Sequence, residues 1–201
     1  MATDGFRLAQ KKISLPKLGE TKQVVIPKSV LLELTRLGEA EDKIILEEKE
    51  KEKQVLFGSG NLLLSSRILE GNFPDYEKII PKTSVFKIRV DKEEFLRAVK
   101  LASVFARDSA NIVKLVVEKD RLSVLAESSQ AGSQKTTLEA RVEGGNALEI
   151  AFNYRFLEDF VNAVAGEEIS LEFTDAASPG VFTDPKDPDY LHLIMPVKIQ
   201  E

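Results

Sequence analysis

An internal repeat constrains this chain more than any other feature. One pattern, strand, helix, strand, strand, strand, recurs in three copies with a period of roughly sixty residues. The first copy runs QVVIP (23–27), the helix KSVLLELTRL, then DKIILEE, KQVLFG and NLLLSSRI. The second runs VFKIRV (85–90), the helix DKEEFLRAVKLASVFAR, then NIVKLVVEK, RLSVLAE and KTTLEARV. The third runs ALEIAF (147–152), the helix NYRFLEDFVNAVA, then EISLEF, a loop-rich SPGVFTDPKDPD and YLHLIMPVKI. Such a series predicts an α+β protein in which helices cover one face of antiparallel sheets.

The helices are read from periodicity. Phe95, Ala98, Val99, Ala102 and Phe105 share one face at helical spacing, as do Phe156, Leu157, Phe160, Val161 and Val164. Asp91 with Glu94 forms a capping-box pattern, and Asn153 can cap the third helix. The strands alternate, as in Ile169, Leu171, Phe173 and in Val113, Leu115, Val117, so each has one buried face. One helix cannot cover its own small sheet, so two repeats must pair to enclose a core. The second and third repeats therefore make one complete domain, 83–201. The first repeat is left without a mate in a partial domain, 1–82, and TDGFRLAQKKISL (3–15) matches the closing strand of a preceding repeat. On this reading the chain starts partway through a domain. The first helix then exposes Val30, Leu31 and Leu34, a patch expected to bring two chains together, each supplying its first repeat to the other as a homo-oligomer.

Catalytic and metal chemistry find little support. With no cysteine and a single histidine, thiolate nucleophiles, disulfides and zinc sites are not expected. His192 alternates with Leu191 and Leu193 and reads as a half-exposed structural side chain. No metal, nucleotide or phosphate motif has its spacing here, and the tetrad TDGF lacks partner ligands, so no cofactor, no metal and no enzymatic activity are expected. Neither a span of membrane length nor a basic-then-apolar leader is legible, which makes the cytoplasm the expected compartment. A net charge of −5 argues against gripping nucleic acid through bulk positive charge, and EEKEKEK (47–53) reads as a solvated hairpin tip. The connector EGNFPDYEKIIPK (70–82) is the exception to ordinary patterning, carrying Phe73, Tyr76, Ile79 and Ile80 where a linker is normally polar.

TDGFRLA, EGNFPDYEKIIP, FARDSANIVKL and YLHLIMPVKIQ, in this order, resemble the bacterial DNA polymerase III beta subunit, the sliding-clamp family, over essentially the whole chain. The resemblance implies the DNA clamp fold, with 1–82 as the second half of a middle domain and 83–201 as the C-terminal domain. It implies a replication processivity factor without catalysis, whose partners are duplex DNA, met without sequence readout, and the clamp-binding peptides of polymerase, clamp-loader and repair proteins. By motif, the peptide groove draws on Thr3, Phe6, Arg7 and Leu8, on Pro74, Lys78 and Ile79 of the connector, and on Leu193, Met195, Pro196 and Val197. Asn153 and Phe156, with Pro179 beside them, form its second subsite. Pro74 and Pro81 stiffen the connector, which lowers the ordering cost of binding. Arg97, Lys100 and Arg107 lie within one stripe of the second helix and are the DNA-facing candidates, although Glu93 shares the stripe; Glu158, Asp159 and Asn162 occupy the matching surface of the third helix. Ring closure around DNA is not expected of this length of chain by itself. The alternative reading is a non-catalytic, DNA-associated structural oligomer that recruits no partner.

Overall fold

The computed structural model describes residues 1–14, 23–38, 43–71 and 75–198. The chain divides into a larger compact unit, 1–14 with 76–201, and a smaller one, 15–75.

In the larger unit the opening residues form β1 (Ala2–Thr3) and β2 (Arg7–Lys11). The second repeat supplies β6 (Phe86–Asp91), helix α2 (Lys92–Ala106), β7 (Ile112–Glu118), β8 (Arg121–Ser128), β9 (Gly132–Glu139) and β10 (Arg141–Gly144). The third supplies β11 (Leu148–Asn153), helix α3 (Tyr154–Ala163), β12 (Glu168–Phe173), β13 (Gly180–Asp184) and β14 (Asp187–Ile194). Both helices start where the caps were read: Asp91 Oδ1 accepts from Glu94 N–H at 2.8 Å, and Asn153 Oδ1 accepts from Arg155 N–H at 3.0 Å.

The strands form a seven-stranded sheet ordered β1-β2-β14-β13-β12-β6-β10 and a four-stranded sheet ordered β11-β7-β8-β9. Every pairing is antiparallel. The two repeats trade first strands, β6 lying along β12 and β11 along β7, so neither sheet belongs to one repeat. Helix α2 packs on β7, β8, β9 and α3, and Phe95, Val99, Leu115, Val124, Leu157 and Leu171 are fully enclosed. At the α3 end of this core Phe160 and Phe182 lie 5.4 Å apart, Phe152 and Phe182 5.5 Å, and Phe173 and Phe182 5.9 Å, in tilted and edge-on contacts typical of aromatic clusters. Gly180 runs through this cluster because a Cβ there would meet Phe182, Phe152 and Phe173 at 2.8 to 2.9 Å.

The smaller unit comprises α1 (Lys28–Gly38) and a meander of β3 (Ile45–Lys49), β4 (Gln54–Ser59) and β5 (Leu62–Arg67). The expected hairpin tip is a short turn, Glu50–Glu52, closed by Lys53 in the left-handed region at φ 51°. Of the described apolar side chains in this unit only Val55 and Phe57 are buried. On α1, Leu31 and Leu32 are exposed, while Val30 and Leu34 are half-buried.

Three local expectations are corrected. Residues 23–27, read as a strand, take none; the Val25 carbonyl accepts from Leu69 N–H at 2.8 Å, and the Pro27 carbonyl accepts from Val30 and Leu31 N–H at 3.1 and 3.4 Å at the start of α1. KTTLEARV is two strands, β9 and β10, because the chain crosses from one sheet to the other at Ala140. The loop-rich SPGVFTDPKDPD contains β13 and the start of β14. Its Pro188 is tolerated because it falls beside the register shift at Thr183/Asp184, outside the residue pairs of the ladder. The buried Asp184 carboxylate accepts from Gly166 and Lys186 N–H at 2.8 Å each, which fixes that hairpin.

Candidate functional site

TDGF is a tight turn. Thr3 Oγ1 donates to the Arg7 carbonyl at 2.7 Å, and Asp4 Oδ1 accepts from Phe6 and Arg7 N–H at 3.1 Å each. Gly5 takes φ +90°, a conformation that L side chains rarely adopt. Burial alone would raise the Asp4 carboxyl, but these N–H donors and the Arg7 guanidinium outweigh it and hold the group below its usual range. The side-chain oxygens of Thr3 and Asp4 are therefore spent on the turn's backbone and on the Arg7 guanidinium, and among the described residues no cluster of metal-ligating side chains is found.

The turn delivers β2 to β14 in antiparallel register, Arg7 opposite Ile194, Leu8 opposite Leu193 and Ala9 opposite His192. The ladder continues past the strand ends, where Met195 N–H donates to the Phe6 carbonyl at 2.8 Å. Phe6, 66% exposed, and Met195, 40% exposed, are thus held side by side at the surface. Leu8 and Leu193, paired in the same ladder, are buried. Pro196 and Val197 follow half-buried, and Val197 N–H donates to the Ala151 carbonyl at 2.8 Å.

Helix α3 supplies the second side. The Arg7 guanidinium sits 4.4 Å from the centre of the Phe156 ring and bonds Asp159 Oδ2 and, at 3.0 Å, Asp4 Oδ2. Phe156 and Asp159 are one helical turn apart, which lets one guanidinium stack on the first while pairing with the second. Arg7 and Phe156 are both expected at the groove, whereas Asp159, expected on the α3 surface that matches the cationic stripe of α2, is brought to Arg7 only by the fold. Asn153 caps α3 and is half-buried.

Lys78 and Ile79 lie in the same unit, at the end of the short turn Tyr76–Lys78, with Ile79 and Ile80 N–H both donating to the Tyr76 carbonyl. Ile79 is exposed. Pro74 and Phe73 lie outside the described residues. Two hollows on the larger unit occupy other places. One of about 600 Å³ is lined by Arg89, Asp91, Arg121 and Glu139, and one of about 270 Å³ by Pro81, Ser84, Lys87 and Glu172, so neither gathers Leu8, Ile79 and Met195.

His192 is buried, which corrects the half-exposed expectation. Its Nδ1 shares a 3.0 Å hydrogen bond with the Tyr190 hydroxyl, its ring meets Phe160 edge-on at 5.7 Å, and its Nε2 has no hydrogen-bond partner among the described residues. Burial, reinforced by the nearby Arg7 charge and opposed by Asp159 and Asp4, pushes its pKa down to about 4.

On α2, Arg97, Lys100 and Arg107 are all exposed, with Leu101 and Val104 exposed between them and Glu93 exposed in the first turn.

Residues 77–198 match the family described as DNA polymerase III beta subunit, C-terminal domain, and residues 1–75 match the central domain of the same subunit. The chain belongs to the DNA polymerase III beta subunit family. It is 32% identical over 201 residues to the beta sliding clamp of Staphylococcus aureus and 33% identical over 199 residues to that of Staphylococcus epidermidis. Each alignment takes in 98% of this chain and 52% of the relative, so the chain spans about half the length of the clamps it matches. Among solved structures, the DNA polymerase sliding clamp of Bacillus subtilis is similar at TM-score 0.90 and 33% identity, covering 99% of this chain and 53% of that one. The sliding clamp of Bartonella birtlesii, solved bound to griselimycin, is similar at TM-score 0.91 and 30% identity, covering 98% and 54%. The α+β architecture is thus that of the sliding clamps. Among the described residues no helix is long and apolar enough to cross a membrane.

Proposed function

We propose that this chain is a non-catalytic sliding-clamp subunit that captures short, partly hydrophobic peptide motifs of a DNA polymerase, and of clamp-loader and repair proteins, on the surface made by β2, β14 and α3. The observations that carry this reading are the Arg7 guanidinium stacked on Phe156 and, on the adjoining backbone, the exposed pair Phe6 and Met195. A fixed cation together with exposed apolar side chains supplies both elements a peptide site needs, a contact surface and a polar group that orients the ligand. The flexible thioether of Met195 lets one surface accept varied side chains. Lys78 and Ile79 of the connector add a cation and an apolar contact to the same reading, with Pro196 and Val197 shaping its edge and Asn153 fixing the start of α3.

Duplex DNA would be met through Arg97, Lys100 and Arg107 on α2, by phosphate contact and without base readout. Three cations release few counterions, so the salt slope of duplex binding should be no steeper than about −3 per copy.

The test is a titration of a labelled peptide carrying a clamp-binding motif, followed by linear duplex at two salt concentrations. Met195→Ala should weaken the peptide at least about fivefold, as truncating a central anchor does. Duplex binding with no peptide capture would replace this reading with that of a DNA-associated structural oligomer. Absence of both would remove it altogether.

A further inference from the structure

The larger unit shows how this repeat is completed. Each first strand there has two neighbours. One edge is held by the end of its own repeat: β10 pairs with β6, Arg141 opposite Arg89, and Val197 N–H donates to the Ala151 carbonyl of β11. The other edge is held by the second strand of the other repeat, β12 along β6 and β7 along β11. The smaller unit reproduces the first of these contacts. Leu69 N–H donates to the Val25 carbonyl, and Val25, like Arg89 and Ala151, stands three residues before the first residue of its helix.

The second contact is the one not made among the described residues of the smaller unit. Its β3, the counterpart of β7 and β12, is the edge strand of its sheet, and residues 23–27 take no strand. The side chains that such a pairing would enclose are open: Ile44 is 41% exposed, Ile45 72% and Leu46 55%, and on α1 Leu31 is 45% and Leu32 51% exposed. In the larger unit the matching side chains Val113, Leu115, Ile169 and Leu171 are fully buried.

We propose that a second copy of this chain completes the smaller unit by reciprocal strand exchange. Residues 23–27 of each copy run antiparallel along 43–47 of the other, and α1 packs on its symmetry mate as α2 packs on α3. The register comes from the molecule's own pairs. Leu46 opposite Phe57 corresponds to Leu115 opposite Val124, counted from the hairpin, which sets Ile44 at the place of Val113. Phe152, one residue before the α3 cap, lies opposite Val113, so Ile26 faces Ile44, Val25 faces Ile45 and Val24 faces Leu46. Six apolar side chains meet along the seam, and the β-branched residues among them favour extended backbone. The occupant must offer a free first strand and an open β3 edge at once; this chain carries both, and a two-fold axis satisfies both contacts with one surface.

The chain has no cysteine, so engineered ones report cleanly. Sedimentation equilibrium of the whole chain at tens of micromolar should give twice the chain mass. Under mild oxidation a mixture of the Val25→Cys chain and the Ile45→Cys chain should form an inter-chain disulfide that neither forms alone, since directly opposed residues bring Cα atoms within disulfide reach. Ile44→Asp should return the chain to a monomer while leaving peptide capture by the larger unit unchanged, which keeps this result separate from the proposed function. A monomeric wild type overturns the inference. So does a dimer whose mixed cysteine chains fail to link, or one that survives Ile44→Asp.

Discussion

Lowering the pH through the range in which an exposed imidazole takes up its proton should leave His192 neutral. The ring is buried between Phe160 and Tyr190, Nε2 has no hydrogen-bond partner among the described residues, and Arg7 sets a positive charge nearby, so the folded-state pKa falls from 6.5 to about 4. In the unfolded chain the same group titrates near its ordinary value. Between the two values the unfolded state therefore binds more protons, and stability must fall as the pH falls. The contribution is fully present above 6.5, is lost progressively toward pH 4 and is exhausted below it; a gap of this size corresponds to about 3 kcal/mol. His192 is the only histidine, so its imidazole resonances can be followed by NMR without assignment. Denaturant unfolding of the wild type and of His192→Gln, which keeps a polar partner for Tyr190 but cannot titrate, isolates the energetic term. The wild type should lose about 3 kcal/mol more than the variant between about pH 7 and about pH 4. An imidazole that titrates near 6.5, or two stability profiles that run parallel, would refute the reasoning.

Removing the α2 cap with Asp91→Ala takes away the acceptor for Glu94 N–H and should destabilise the larger unit by about 1 kcal/mol, read from denaturation followed by circular dichroism. Gly180→Ala drives a methyl into three rigid rings and should cost about 2 kcal/mol or more; an unchanged midpoint would contradict the packing described. Arg7→Ala removes two partly exposed ion pairs, to Asp4 and Asp159, and a cation–π contact, so its stability effect should stay near or below about 1 kcal/mol. Peptide affinity should fall by more than that variant's stability does, and equal losses would mean that Arg7 only braces the turn.

Much of the architecture was legible in the residues. Helical spacing from Phe95 to Phe105, alternation along Ile169 to Phe173, and the caps Asp91 and Asn153 are local signals, decided by which backbone geometry buries a given face, and all lie in elements of the expected kind. The resemblance carried the family and the order of the parts. The candidate surface was legible only as names: the adjacent pair Phe6 and Arg7 is far in the chain from Phe156 and from Met195, and what joins them is the Phe6–Met195 backbone bond and the stacking of Arg7 on α3. Tertiary structure alone decided the trading of first strands between repeats, the burial of Leu8, the pairing of Arg7 with Asp159 and the burial of His192. Period and propensity report which face a residue presents, because they depend on neighbours a few positions away. Which strand lies against that face, and which charge lies beside it, depends on segments more than a hundred residues distant, such as Arg7 and Asp159, and these leave no trace in local pattern.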